Sequence, residues 1–79
     1  MAGNKNLAED SYERLANAII LQAVTDYRTA LKKIRKNPGN RDAIDEALRI
    51  ERFFRSGWYS QLTSVDGEYL IRKLREDIR

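Results

Sequence analysis

Apolar residues recur at three- and four-residue steps through the first half of the chain, as Tyr12, Leu15, Ala16, Ile19, Ile20, Ala23, Val24, Tyr27, Leu31 and Ile34. That spacing gathers them on one broad helical face and leaves Arg14, Thr25, Arg28, Lys32 and Arg35 opposite. Asp10-x-x-Glu13 has the form of a capping box, so the pattern predicts a helix from Asp10 of about 26 residues, a rod roughly 40 Å long. Asn37-Pro38-Gly39-Asn40 stops it, and Asn40 is placed to cap a second helix with Asp42 in its first turn. Ala43, Ile44, Ala47, Leu48 and Phe54 line the predicted inner face, with Ile50 and Phe53 on its flank. Ser56-Gly57 ends that helix, and Trp58 to Leu62 forms an aromatic corner with room for one short helical turn. A third helix is predicted from Thr63, with Asp66 three residues on and Gly67, Leu70, Ile71, Leu74 and Ile78 sharing one stripe. A glycine on an apolar stripe costs helix stability, so Gly67 implies a close helix–helix approach.

The expectation is therefore an all-α fold, a three-helix bundle with two shorter helices packed along a long first one. Residues 1–9, polar and without periodicity, read as a disordered tail, and residues 10–79 as a single helical domain. A chain of 79 residues has a thin core. No cysteine or histidine is present, so neither disulfides nor a structural zinc site reinforce it. Met1 to Asp10 lacks the apolar run of a signal peptide, and the longest apolar stretch, Ala18 to Leu21, is far too short to span a bilayer. These features point to a cytoplasmic protein with no membrane contact.

Glu51-Arg52-Phe53-Phe54-Arg55-Ser56, Trp58-Tyr59, Leu62-Thr63 and Asp66-Gly67-Glu68-Tyr69-Leu70-Ile71-Arg72-Lys73-Leu74 resemble a group of short accessory proteins encoded in prophages and conjugative elements of Gram-positive bacteria. The resemblance covers residues 12–76 and is most specific over 51–74. It implies a phage or mobile-element context and brings no catalytic or binding residues with it. Small proteins of that context often inhibit host systems, anti-defence proteins included, or regulate them.

The residues themselves argue against catalysis. Without histidine or cysteine the usual general base and the most reactive nucleophile are missing. The acidic pairs Glu9/Asp10, Asp45/Glu46 and Glu76/Asp77 are sequence neighbours that diverge around a helix rather than converging on a substrate. Neither an enzyme nor a cofactor is expected. Binding is the remaining class, and two surfaces are candidates for it. One gathers Glu51, Arg52, Phe53, Arg55, Trp58 and Tyr59, since aromatics and arginine are enriched at binding hot spots; the same aromatics would also serve to close the end of a small bundle. The other is the basic cluster Lys32, Lys33, Arg35, Lys36 and Arg41, of which Lys32, Lys33, Arg35 and Lys36 concentrate the excess behind the net charge of +3. It could hold phosphate, although cations at a helix C-terminus also complement the macrodipole. A helix-turn-helix is disfavoured, because the link from Ser56 to Thr63 exceeds the three or four residues of that motif. Glu51 falls among apolar neighbours, so it must find an internal tyrosine, tryptophan or arginine, or serve a partner or a second copy. A protein-binding module is the leading expectation. A nucleic-acid-binding accessory protein and a structural homo-oligomer are the alternatives.

Overall fold

In the computed structural model, which describes residues 2–78 and their side chains from Ser11 onward, every regular element is helical. The elements are α1 (Ala2–Lys36), α2 (Arg41–Phe54), α3 (Gly57–Leu62) and α4 (Gly67–Ile78). The tail expected over residues 1–9 and the capping box at Asp10 involve side chains outside the described residues. The helix is drawn from Ala2, ahead of the start that Asp10 suggested. At 35 residues α1 sets the long dimension of a molecule measuring 56 × 19 × 17 Å.

Among the described residues the expected three helices are four. Ser56 breaks α2 from α3 in extended backbone, and its hydroxyl accepts from the Tyr59 backbone N–H at 3.1 Å, capping a short helix where the sequence left room for one helical turn. The start predicted at Thr63 is also corrected. Thr63 closes α3, and its hydroxyl accepts from the Val65 N–H, while Asp66 is the residue that caps α4, accepting from the Tyr69 N–H at 3.2 Å. A carboxylate at that position also complements the helix dipole. Asn40 caps α2 as its position implied, accepting from the Ala43 N–H at 3.1 Å.

All three shorter helices pack on α1, and α4 packs on α2. The core joins Tyr27 and Ala30 of α1 with Ala47, Ile50 and Phe54 of α2, Tyr59 of α3, and Ile71 and Leu74 of α4. Phe54 sits at its centre, edge-on to Tyr27 at 5.7 Å and to Tyr59 at 5.6 Å between ring centroids. The inner face of α2 is rotated from the predicted one. Ala43, Ala47, Ile50, Glu51 and Phe54 are buried, Ile44 is half-buried, and Leu48 is exposed, because a residue adjacent to Ala47 lies about 100 degrees round the helix from it. At the far end of the bundle, the Arg35 guanidinium donates to the Ile78 carbonyl at 2.6 Å, satisfying one orphan acceptor of the last turn of α4.

Gly67 makes the close approach that its place on an apolar stripe implied. A Cβ there would collide with the Phe54 carbonyl oxygen and come within 2.9 Å of its carbon, and both are backbone atoms that cannot swing aside. Gly57, by contrast, has open space where its Cβ would be. Gly67→Ala should therefore destabilise the fold by about 1–3 kcal/mol. Gly57→Ala should be neutral or stabilising by about 0.4–1 kcal/mol through the unfolded chain. Thermal or urea melts of the two variants check both; equal effects would contradict the close contact.

Candidate functional site

Glu51 is the one charged residue buried among the described residues, 5 % exposed on a helix face otherwise made of alanine, isoleucine and phenylalanine. Its placement follows from the α2 pattern, four residues after Ala47 and three before Phe54. Three helices supply its partners. From α1, the Tyr27 hydroxyl donates to Oε2 at 2.5 Å. From α4, Arg75 donates through Nη2 to the same oxygen at 2.7 Å, while its Nε donates to the Tyr27 hydroxyl oxygen at 3.2 Å. From the end of α2, Arg55 reaches Oε1 at 3.4 Å and also grips Glu68 in the first turn of α4. Tyr27, Glu51 and Arg75 thus close a three-membered ring of hydrogen bonds.

The ionisation of the ring follows from this geometry. Burial disfavours the Glu51 carboxylate, yet the hydrogen bonds from Tyr27 and Arg75 and the charges of Arg75 and Arg55 outweigh burial and hold its pKa below the ordinary value. Burial, reinforced by the neighbouring carboxylate, pushes the Tyr27 hydroxyl up to about 12. The ring is therefore a phenol, a carboxylate and a guanidinium across the whole neutral range. None of the three is poised to exchange a proton near neutral pH, and the arrangement fastens helices together.

Of the six residues proposed as a partner surface, the structure brings only some to the outside. Glu51 is spent internally. Tyr59 is buried to 2 % in the aromatic core, with a hydroxyl that has no hydrogen-bond partner among the described residues. Arg55 is exposed but tied to Glu68 and Glu51. Arg52 is exposed, Phe53 half-buried, and Trp58 stands 57 % exposed with its ring edge-on to Phe53 at 5.4 Å. Phe53 and Trp58 form the wall of an open cleft of about 510 Å³ between α1 and the α2–α3 junction, with Ile19 and Ala23 along α1 and Ile50 at its base. Gln22, Asp26 and Arg49 supply its polar edge. Pattern reading missed the α1 wall of this cleft because Ile19 and Ala23 belong to the same periodic face as the core residues. Only the depth to which α2 covers that face separates them.

The basic cluster divides. Lys32, Lys33, Lys36 and Arg41 are exposed, whereas Arg35, also at the surface, spends its guanidinium on the α4 terminus. Lys33 also borders a hollow that contains Asp42, Asp45 and Glu46, which tempers the positive field on that side.

Removing Glu51 leaves the buried Tyr27 hydroxyl without its acceptor, while Arg75, half in solvent, can turn outward. Glu51→Ala should then cost about 1–3 kcal/mol. For a domain of this size that lowers the melting temperature by roughly 5–20 °C. Acid titration carries a second signature. The folded pKa of Glu51 lies below its unfolded value, so its contribution is complete above the unfolded value and is lost as pH falls through the folded one. Tyr27 has the opposite sign, contributing fully below pH 10 and losing that contribution as pH rises towards about 12. Melts of wild type and Glu51→Gln across acid pH should converge as pH falls; curves that stay parallel would contradict the assignment. No family model, curated protein or solved structure matches this chain.

Proposed function

We propose that this is a non-catalytic protein-binding module of a phage or other mobile genetic element, acting as an inhibitor or regulator of a host system. Its docking face is the cleft walled by Phe53 and Trp58. The observation that supports this reading is the exposure of Trp58 at the mouth of an apolar cleft, while Tyr27, Phe54 and Tyr59 are buried. A large ring held at 57 % exposure against Phe53 is costly to leave in water, and tryptophan in a well-packed pocket is the residue type that most often dominates binding energy. The cleft runs along α1, the geometry in which a partner helix lays its apolar face between two helices. The resemblance of residues 51–74 to mobile-element accessory proteins supplies the context.

Nucleic acid is the second reading, favoured by the exposed Lys32, Lys33, Lys36 and Arg41 at one end of the molecule. Three observations weigh against it. Arg35 is engaged elsewhere, the acidic rim lies beside Lys33, and cations at that position already complement the α1 terminus.

Trp58→Ala should leave the fold intact, because the ring is more than half exposed, and should lower affinity for a captured partner by at least tenfold. Pull-down with wild type and Trp58→Ala, followed by titration of the protein they distinguish, tests this. A partner held equally by both would contradict the docking face. Duplex DNA should bind no tighter than about micromolar at physiological salt, with an affinity that falls steeply as salt rises. A tight duplex complex at physiological salt, lost when Lys32, Lys33 and Lys36 are changed to glutamine, would contradict that ranking.

A further inference from the structure

The cleft does not end with the bundle. Its α1 wall continues towards the N-terminus as Ile19, Leu15 and Tyr12, at the four- and three-residue steps that keep residues on one seam of a helix. Leu15 is 61 % and Tyr12 57 % exposed although the neighbouring Ala16 is buried to 3 %, so the flank of α1 that carries them is uncovered, while the stretch beyond Ile19 forms the cleft. One helix therefore presents a projecting apolar ridge and, directly after it, an apolar recess with a small residue, Ala23, in its wall.

Resting on the cleft as docking face, we infer that its occupant is a second copy of this chain. The two α1 helices lie antiparallel about a twofold axis near Ile19. In that register Leu15 of each copy enters the recess at Ala23 and is closed over by Trp58 of the other. Tyr12 lies opposite Asp26. The Asp26 carboxylate already accepts from Gln22 through Oδ1 at 3.0 Å, and among the described residues Oδ2 has no partner, so it is free to accept from the incoming phenol. Ridge meets recess and donor meets acceptor twice over, as an isologous contact requires.

The area is of the right order. Tyr12 and Trp58 each leave roughly 100 Å² of ring surface exposed. Counted on both copies with Leu15, Ile19 and Phe53, the contact approaches roughly 1,000 Å², the lower limit for a specific interface. Association should therefore be real but weak, visible at high micromolar concentration. No charged side chain interrupts the seam between Tyr12 and Ile19, so nothing in it repels a second copy.

The chain suits a direct test, since it has a single tryptophan and no cysteine. Sedimentation of the wild type at high micromolar concentration should give a dimer, with Trp58 emission moving to shorter wavelength as concentration rises. Leu15→Glu should weaken association at least tenfold without changing the melting temperature at low micromolar concentration, where the wild type is monomeric, because Leu15 lies outside the core. A mixture of Leu15→Cys and Ala23→Cys should be joined by a short thiol cross-linker, and Leu15→Cys alone should not. A wild type that remains monomeric, or Leu15→Cys that cross-links alone as well as the mixture does, overturns the inference. The two levels of the argument fail separately. Trp58→Ala that dimerises like wild type overturns this inference, whereas a partner captured equally by wild type and Trp58→Ala overturns the docking face and this inference together. A monomeric wild type that still captures a protein through Trp58 overturns only the dimer.

Discussion

A carboxylate inside a small helical core must be paired on all sides or it unfolds the protein, and Glu51 imposes that requirement on three helices at once. An isolated buried charge costs several kcal/mol, comparable with the whole stability of a domain this size. Tyr27 and Arg75 can both reach Oε2 only when α1, α2 and α4 hold one rotation and one offset. Apolar packing alone tolerates small sliding of one helix past another, whereas a hydrogen-bonded ring does not. With no cysteine to form a disulfide, this ring, the backbone contact at Gly67 and the hydrogen bonds Arg35–Ile78 and Arg55–Glu68 are directional constraints on how α4 meets the rest.

Those constraints decide what remains outside. With α4 drawn onto α2 at Gly67, the chain between them is short, and Ser56 turns it at once into α3. That turn carries Tyr59 inward against Phe54 and Trp58 outward beside Phe53. The exposed tryptophan is thus a consequence of the same capping hydrogen bond that buries its neighbour. Because α1 is longer than the helices packed on it, its seam passes from the cleft to an uncovered stretch without a break. The surface with most to gain from a partner is where the short helices run out.

Much of this was legible in the pattern of residues. The three- and four-residue steps of α1, the Asn40 cap and the demand that Gly67 meet another helix all follow from local geometry, and the structure realises each. Glu51 stood out because a charge on an apolar face is a contradiction that needs a partner. The identity of that partner was not legible. Tyr27 looked like any core aromatic, and Arg75 fell outside the apolar stripe of α4; only the packing angle brings its long side chain over the edge to the carboxylate. Arg35, grouped by sequence with the basic cluster, likewise owes its role to the Ile78 carbonyl, 43 residues away. Short elements were misjudged for a related reason. One side-chain cap, at Ser56 or at Asp66 rather than Thr63, decides where a helix of a turn or two begins, and several neighbouring residues could each serve as that cap.

If the ring around Glu51 organises the fold, its carboxyl must be ionised more readily than a free one in spite of its burial. Burial without partners would shift it the other way, so the direction of the shift separates the two cases. Carbon NMR titration of the Glu51 side-chain carboxyl reads that direction in the intact protein. A midpoint below the ordinary value of 4.5 is the result this account predicts. A midpoint above it would mean that desolvation prevails, that Tyr27 and Arg75 do not hold the charge, and that the three helices are fastened by something else.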